Sequence, residues 1–137
     1  MAATRLMSGA MMVVCSPELA GRLRRVEDLL SVPLLRSYRA NEWERWFAGH
    51  GLPAPQLRGP VFDTSLAIAE MAARSHGLGL VPVALFSSWT QAGRLARPFE
   101  AVLAAGDYWL TRLHASPETT GQGALREWLV ARCEDVA

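Results

Sequence analysis

The chain has 137 residues, which favours one domain or two very small lobes and leaves little room for a multidomain enzyme. Half of the residues are apolar and 20% are charged, a globular composition that excludes general disorder. Fourteen arginines, with no lysine, against thirteen Asp and Glu residues give a formal charge of +1, so the chain lacks the cationic excess that binding to nucleic-acid phosphates requires.

The cysteines and the apolar runs bear on the compartment. Cys15 and Cys133 lie far apart, without the spacing of a metal site or of a disulfide framework. No secretion leader opens the chain, and every apolar stretch is interrupted well before the roughly 18 residues that a membrane span requires. We therefore expect a reduced, cytoplasmic protein with no membrane partner.

Strands and helices are predicted to alternate in the first half of the chain. The apolar run 11–15 is typical of a strand buried on both faces, and Ser16 should cap a short helix. The next predicted elements are a turn over 26–30, a strand over 33–38, a helix over 42–50 and a strand over 56–62. Trp43, Trp46 and Phe47 recur at helical spacing and are expected in the core.

The same alternation continues to the end of the chain. The longest helix of the chain should start at 63–65 and stop at His76-Gly77, before a buried strand over 78–82. A short helix or turn over 86–93, strands over 95–102 and 108–114, and a helix over 120–133 follow. This order predicts an α/β fold with mostly parallel strands.

Catalytic motifs are missing from the sequence. The chain has no GxSxG elbow, GxGxxG, P-loop, HExxH or paired-cysteine box. His50 and His76 stand next to glycines at predicted helix ends, where the helix dipole alone favours them. We therefore expect no enzyme, no metal site and no cofactor; a small α/β hydrolase is a disfavoured alternative, because no nucleophile elbow is present.

One corner of the predicted fold could bind a ligand. The stretch 62–65 ends a strand and begins a helix, and ligands of open α/β sheets bind at the carboxyl ends of strands. Thr64 and Ser65 add hydroxyl groups beside the free N–H groups of the helix start. Simple helix capping by these residues remains an equally good explanation at this point.

Several stretches, in order, resemble the effector-binding domain of LysR-type transcriptional regulators. The widespread family elements are Met12-Val13-Val14-Cys15-Ser16-Pro17 and Gly77-Leu78-Gly79-Leu80-Val81-Pro82. More discriminating are Arg36-Ser37-Tyr38-Arg39, Glu42-Trp43-Glu44-Arg45-Trp46-Phe47 and Asp107-Tyr108-Trp109-Leu110-Thr111. Within the family, the sequence is most similar to regulators of chromosomal β-lactamase.

The resemblance implies a fold like that of type 2 periplasmic binding proteins, in which two α/β lobes are joined by two crossover strands. It implies a second lobe over about 16–106, and crossovers with a remnant of the first lobe over about 1–15 and 107–137. A small-molecule effector, a muropeptide or UDP-muramyl peptide, would lie between the lobes. By position, Ser65 and Tyr108 match effector-contacting residues, and Thr64 is their neighbour.

The resemblance also implies parts that precede the matched region. Only about ten residues stand before the first family element, so we expect this chain to lack the winged helix-turn-helix that contacts DNA and most of the first lobe. The strand at Tyr108 and the helix from Thr120 would then lack partners, which predicts a homo-oligomer or an exchange of elements. A small-solute binding module without a transcriptional role is the alternative function.

Overall fold

The computed structural model describes residues 1–39 and 41–135, which fold into short strands and helices. In chain order the elements are β1 (Ala2–Ser8), β2 (Met11–Val14), α1 (Pro17–Ala20), a 3-10 helix (Val26–Ser31), β3 (Arg36–Ser37), α2 (Glu42–Gly49), β4 (Val61–Phe62), α3 (Ser65–Ala73), β5 (Gly79–Pro82), α4 (Val83–Gln91), β6 (Asp107–Arg112) and α5 (Thr120–Glu134). None of the helices in these ranges is long and apolar enough to cross a membrane.

A mixed sheet forms the centre of the larger unit. Strand β2 pairs with β5 antiparallel, and β3 pairs with β4 parallel. A parallel bridge between Leu34 and Leu78 joins the two pairs, and antiparallel bridges attach Cys15 to Ala96 and Met11 to Leu103. The α/β class is confirmed. Strand β2 starts at the edge of the sheet where β5 ends, and it therefore runs antiparallel to its neighbours. The prediction of mostly parallel strands is wrong for this strand.

The central sheet is buried on both faces. Alternate residues of β2 pack into two different apolar clusters, with Val13 in one and Val14 in the other. Because successive side chains of a strand point to opposite faces, each face of the sheet has its own core. The predicted burial of this strand on both faces is therefore confirmed.

Each core is closed by a helix. Helix α2 covers one face with Trp43, Trp46 and Phe47, which confirms the predicted aromatic stripe. Helix α3 covers the other face with Ile68, Ala69 and Ala72. The Trp43 indole also donates a hydrogen bond to the Leu35 carbonyl over 2.9 Å, which fixes α2 against the chain entering β3.

Three predicted strands are much shorter than expected. Of the predicted strand 33–38, only Arg36–Ser37 is a strand, with an isolated bridge at Leu34. Only Val61–Phe62 of the predicted strand 56–62 is a strand, and the predicted strand 95–102 contributes isolated bridges at Ala96 and at neighbouring Leu103. Proline has no N–H to donate to a ladder, and Pro53, Pro55, Pro60 and Pro98 stand within or beside these segments.

Strands β1 and β6 form a second, smaller unit with α5. The strands pair antiparallel from Ala2 opposite Arg112 to Ser8 opposite Asp107, with an irregularity between Arg5 and Met7. Helix α5 packs against β1. It is longer than α3, so the prediction that the helix starting at 63–65 is the longest of the chain is wrong. The expectation that the strand at Tyr108 has no partner in this chain is wrong: β1 is that partner. Its sequence is weakly β-forming, so the strand state depends on pairing with β6.

Candidate functional site

Thr64 and Ser65 lie at one edge of the central sheet, and the crossover to β6, which carries Tyr108, leaves from the same edge. The pairing of Met11 with Pro82 places the start of β2 beside the end of β5, and the parallel bridges place the ends of β3 and β4 at the same edge. The segment 63–65 leaves this edge from β4. The crossover segments 8–10 and 104–106 leave it toward the β1–β6 pair.

Thr64 and Ser65 occupy the start of α3. The Thr64 hydroxyl accepts a hydrogen bond from the Ala67 N–H over 3.1 Å, so Thr64 is the N-cap of the helix. Ser65 is the first helical residue and is half-buried. The capping role proposed for this corner is confirmed for Thr64, and ligand contact by either hydroxyl stays a prediction.

Tyr108 lies in a cavity at the junction of the two units. The cavity has a volume of about 400 Å³ and is lined by Gly9, Arg39, Glu42, Arg45 and the segment 104–108. Two arginines, two carboxylates (Glu42 and Asp107) and a phenol give it a polar wall. The Tyr108 ring belongs to β6, whereas Arg39, Glu42 and Arg45 belong to the larger unit, so a molecule in this cavity would touch both units.

Glu42 is the buried acid of the cavity wall. It is the first residue of α2 and is only 8% exposed. Burial raises the pKa of its carboxyl group, and the positive charges of Arg39 and Arg45 offset part of that effect. Its closest described cation is the Arg39 guanidinium, at 4.0 Å.

Arg39 connects the cavity to the end of β3. Its guanidinium lies 5.8 Å from the centre of the Tyr38 ring, and the Tyr38 hydroxyl raises the pKa of Arg39, with a smaller contribution from Tyr108. The Tyr38 N–H in turn donates to the Phe62 carbonyl at the end of β4 over 3.1 Å. The segment 37–39 thus lies between the Ser65 corner and the Tyr108 cavity.

Arg45 ties α2 to the return crossover. Its guanidinium donates a hydrogen bond to the Ala104 carbonyl. Beside it, the Gly9 N–H donates to the Gly106 carbonyl over 2.8 Å and holds the two crossover segments together. Ligand contacts on Arg45 or Tyr108 would therefore act close to the connection between the units.

The structure brings the predicted residues to one edge but not into one cavity. Tyr108 lines the junction cavity, and Thr64 and Ser65 do not. The sequence prediction missed Arg39, Glu42 and Arg45. A signal exists for two of them, because Glu42 and Arg45 are three positions apart in the predicted helix and therefore lie on one side of it.

Metal binding and cysteine-based catalysis find little support in the described ranges. Within residues 1–39 and 41–135, no three His, Cys, Asp or Glu side chains are grouped closely enough to hold a metal ion. Cys15 is fully buried, and burial raises the pKa of its thiol to about 11, so the thiolate nucleophile is scarce at neutral pH.

Comparison with known proteins gives one consistent result. The LysR substrate binding domain family matches residues 1–134. The HTH-type transcriptional activator AmpR of Citrobacter koseri is 43% identical over 125 residues, which cover 91% of this chain and 44% of that protein. The chain thus spans less than half the length of this relative.

Solved structures agree with the sequence comparison. The effector domain of AmpR from Pseudomonas aeruginosa matches with a TM-score of 0.87 and 43% identity, over 97% of this chain and 65% of that one. A Citrobacter freundii effector binding domain with one Thr→Val, one Ser→Ala and one Tyr→Phe substitution matches with a TM-score of 0.88 and 34% identity, over 96% and 68%. The chain belongs to the LysR substrate-binding domain family, and its described fold is that of an AmpR-like effector-binding domain.

Proposed function

We propose that this chain is the effector-sensing part of a LysR-type, AmpR-like transcriptional regulator and binds a cell-wall muropeptide or UDP-muramyl peptide. The observation that carries the proposal is the polar cavity at the junction, which is lined from both units. We assign about 16–106 to the second lobe, and about 1–15 and 107–137 to crossovers and a remnant of the first lobe.

The chemistry of the cavity suits a ligand of this class. Muropeptides carry hydroxyl, amide and carboxylate groups. Arg39 and Arg45 can donate to carboxylates, Glu42 can accept from N–H groups, and the Tyr108 hydroxyl can do both. A cavity of about 400 Å³ is within the ordinary size range of small-molecule sites.

The substituted relative supports Ser65 and Tyr108 as effector contacts, with Thr64 beside them. The serine and the tyrosine replaced in that Citrobacter freundii domain are 43 positions apart, as Ser65 and Tyr108 are here. Each of those replacements removes a hydroxyl group and leaves the rest of the side chain nearly unchanged. We infer that Ser65 and Tyr108 present the equivalent hydroxyl groups.

The mechanism we propose is a shift between two arrangements of the lobes. A ligand favours the arrangement in which it makes more contacts, and its differential affinity sets how far the equilibrium moves. No bond of the ligand is made or broken. The proposed partners are the small-molecule effector, other copies of the chain, and DNA contacted only through a winged helix-turn-helix outside this chain; this role implies a cytoplasmic location.

Calorimetric titration with an anhydro-muramyl tripeptide tests the effector site. Ser65→Ala and Tyr108→Phe should each weaken binding about 5-fold to 150-fold, because each removes a hydroxyl group whose proposed hydrogen bond to the ligand is worth roughly 1 to 3 kcal/mol. Ser88→Ala removes an exposed hydroxyl from α4 and should leave binding unchanged. Unaltered affinity in both site variants, or no binding by the unmodified protein, would reject the proposed site.

The homo-oligomer is proposed from exposed apolar side chains of the smaller unit. Trp109 and Trp128 are 54% and 57% exposed, and Leu113 and Leu125 are also exposed. Large apolar groups in such numbers on one small unit favour association. Sedimentation should show a dimer or larger species, and Trp128→Glu should shift it to the monomer; a monomer at every concentration would contradict the proposal.

A further inference from the structure

The Arg39 and Glu42 side chains line two neighbouring cavities. They form part of the wall of the junction cavity that contains Tyr108. They also line a second cavity of about 560 Å³, beside Arg36 and Trp43. The two cavities therefore meet at this pair of opposite charges, and an extended ligand that occupied both would have to pass over it.

The Glu42 carboxylate accepts no hydrogen bond from the described part of the chain. Its nearest described cation, Arg39, is 4.0 Å away, which is beyond hydrogen-bond distance. No hydrogen bond to its carboxylate is found within residues 1–39 and 41–135, although the residue is 92% buried. Among the described residues, Trp46 Nε1 is the only fully buried side-chain polar atom without a partner, so the Glu42 carboxylate keeps some exposure. Glu42 lines the cavity, and a ligand there is the source from which a donor would come.

Arg39 has donors to spare. The guanidinium group carries five N–H donors in a planar fork that fits a carboxylate. Its side chain is 45% exposed, and its described neighbours are the Glu42 carboxylate at 4.0 Å and the Tyr38 side chain, whose ring centre is 5.8 Å away and whose hydroxyl raises the pKa of Arg39. These neighbours leave most of the five donors without an acceptor in the described part of the chain.

We propose that Arg39 and Glu42 form a subsite for an amino-acid head group, a ligand group that carries a free ammonium and a free carboxylate on one carbon. The proposal rests on the proposed function and specifies which part of the peptide ligand is recognised here. The ammonium donates to Glu42 and the carboxylate accepts from Arg39. Arg39 and Glu42 face each other at 4.0 Å without a hydrogen bond, so each charge of the ligand can form a direct hydrogen bond with one of them. A ligand with only one charge makes only one of these two contacts.

The test uses three anhydro-muramyl peptides that differ only in this head group. One carries the free ammonium and carboxylate, one is N-acetylated, and one is a carboxamide. Calorimetry on the unmodified protein should show that either blocked form binds about 10-fold to 100-fold more weakly than the free form. In Glu42→Gln the penalty for acetylation should disappear, and in Arg39→Gln the penalty for the carboxamide should disappear.

Matched controls separate the subsite from the proposed function. Glu27→Gln and Arg24→Gln change exposed residues outside both cavities and should keep the full discrimination. If all three peptides bind the unmodified protein equally, the subsite is wrong and the proposed function stands. If none binds, both are wrong. Circular dichroism of each variant confirms folding. If Glu42→Gln does not fold, the loss of the carboxamide penalty in Arg39→Gln tests the subsite.

Discussion

Gly9 and Gly106 bring the backbones of the two crossover segments into direct contact. The Gly9 N–H donates to the Gly106 carbonyl over 2.8 Å, and a Cβ added at Gly9 would lie 2.9 Å from that oxygen and 3.2 Å from the Ala105 carbonyl oxygen. The contact borders the junction cavity, which both segments line. A change in the angle between the units would therefore alter the contact between these two glycines.

Gly9→Ala should destabilise the protein. The atoms that the new methyl group would meet belong to backbone, which cannot rotate away, so we expect a loss of about 1–3 kcal/mol in the free energy of unfolding. Chemical denaturation measures it. Gly121→Ala is the matched control, because its Cβ meets nothing within 4 Å on α5 and the change should be neutral or stabilising. Equal stability of Gly9→Ala and Gly121→Ala would contradict this account of the crossover.

Phe47→Ala should lower the free energy of unfolding much more than the removal of an exposed apolar side chain does. Phe47 is 0% exposed in the core under α2, and removal of a buried phenyl ring costs about 3–5 kcal/mol. Leu66→Ala removes a side chain that is 57% exposed at the start of α3 and should cost about 0.5 kcal/mol or less. Similar unfolding midpoints for the two variants would mean that α2 does not close the core as described.

The Arg5–Asp107 ion pair should make the β1–β6 pairing sensitive to acid. The hydrogen bonds from Arg5 to Asp107, at 2.8 and 3.1 Å, hold the pKa of the Asp107 carboxyl below its ordinary value of 3.8. A carboxyl with a lowered pKa in the folded state stabilises the fold above its unfolded pKa, and this contribution is lost as the pH falls through the lowered value.

The test compares the free energy of unfolding of the unmodified protein with that of Asp107→Asn over a range of pH values. The stability difference should be present at pH 7 and vanish at pH values below the folded pKa of Asp107. High salt should reduce it, because the pair is exposed. A stability difference that is independent of pH from 7 to 2 would show that the ion pair does not form. Glu27→Gln is the control, because Glu27 forms no ion pair within the described residues; its effect on stability should not depend on pH in this way.

Cys15 should resist alkylation in the folded protein. Burial raises the pKa of its thiol to about 11 and also blocks access, because the residue is 0% exposed. In a Cys133→Ser background, iodoacetamide at pH 8 should leave Cys15 unmodified in native buffer and modify it fully in denaturant, as read by mass spectrometry. Rapid modification in native buffer would contradict the central position of β2.

Patterns of buried residues were predictable from the sequence. The apolar run before Ser16 and the Trp43, Trp46, Phe47 spacing each encode a buried face in local order, and both predictions are confirmed. Strand direction was not predictable in this way. The antiparallel course of β2 depends on where the chain enters the sheet, which no local pattern records.

The candidate site was only partly visible in the sequence. Tyr108 was identified by resemblance, and the structure places it in the junction cavity. Arg39, Glu42 and Arg45 were missed, since charged residues near a helix start normally face solvent. Their role depends on the return crossover folding over α2, a contact between residues far apart in the chain. Similarly, β1 was missed because its strand state comes from β6.

The central claim is that the effector binds at the junction between the two units. Nuclear magnetic resonance of the ¹⁵N-labelled protein, titrated with the anhydro-muramyl tripeptide, tests it most directly. We predict that the shifted amides cluster in residues 37–45, 63–66 and 104–108. Shifts confined to the opposite side of the larger unit, around Glu70 and Arg94, or no shifts at saturating peptide, would contradict the account.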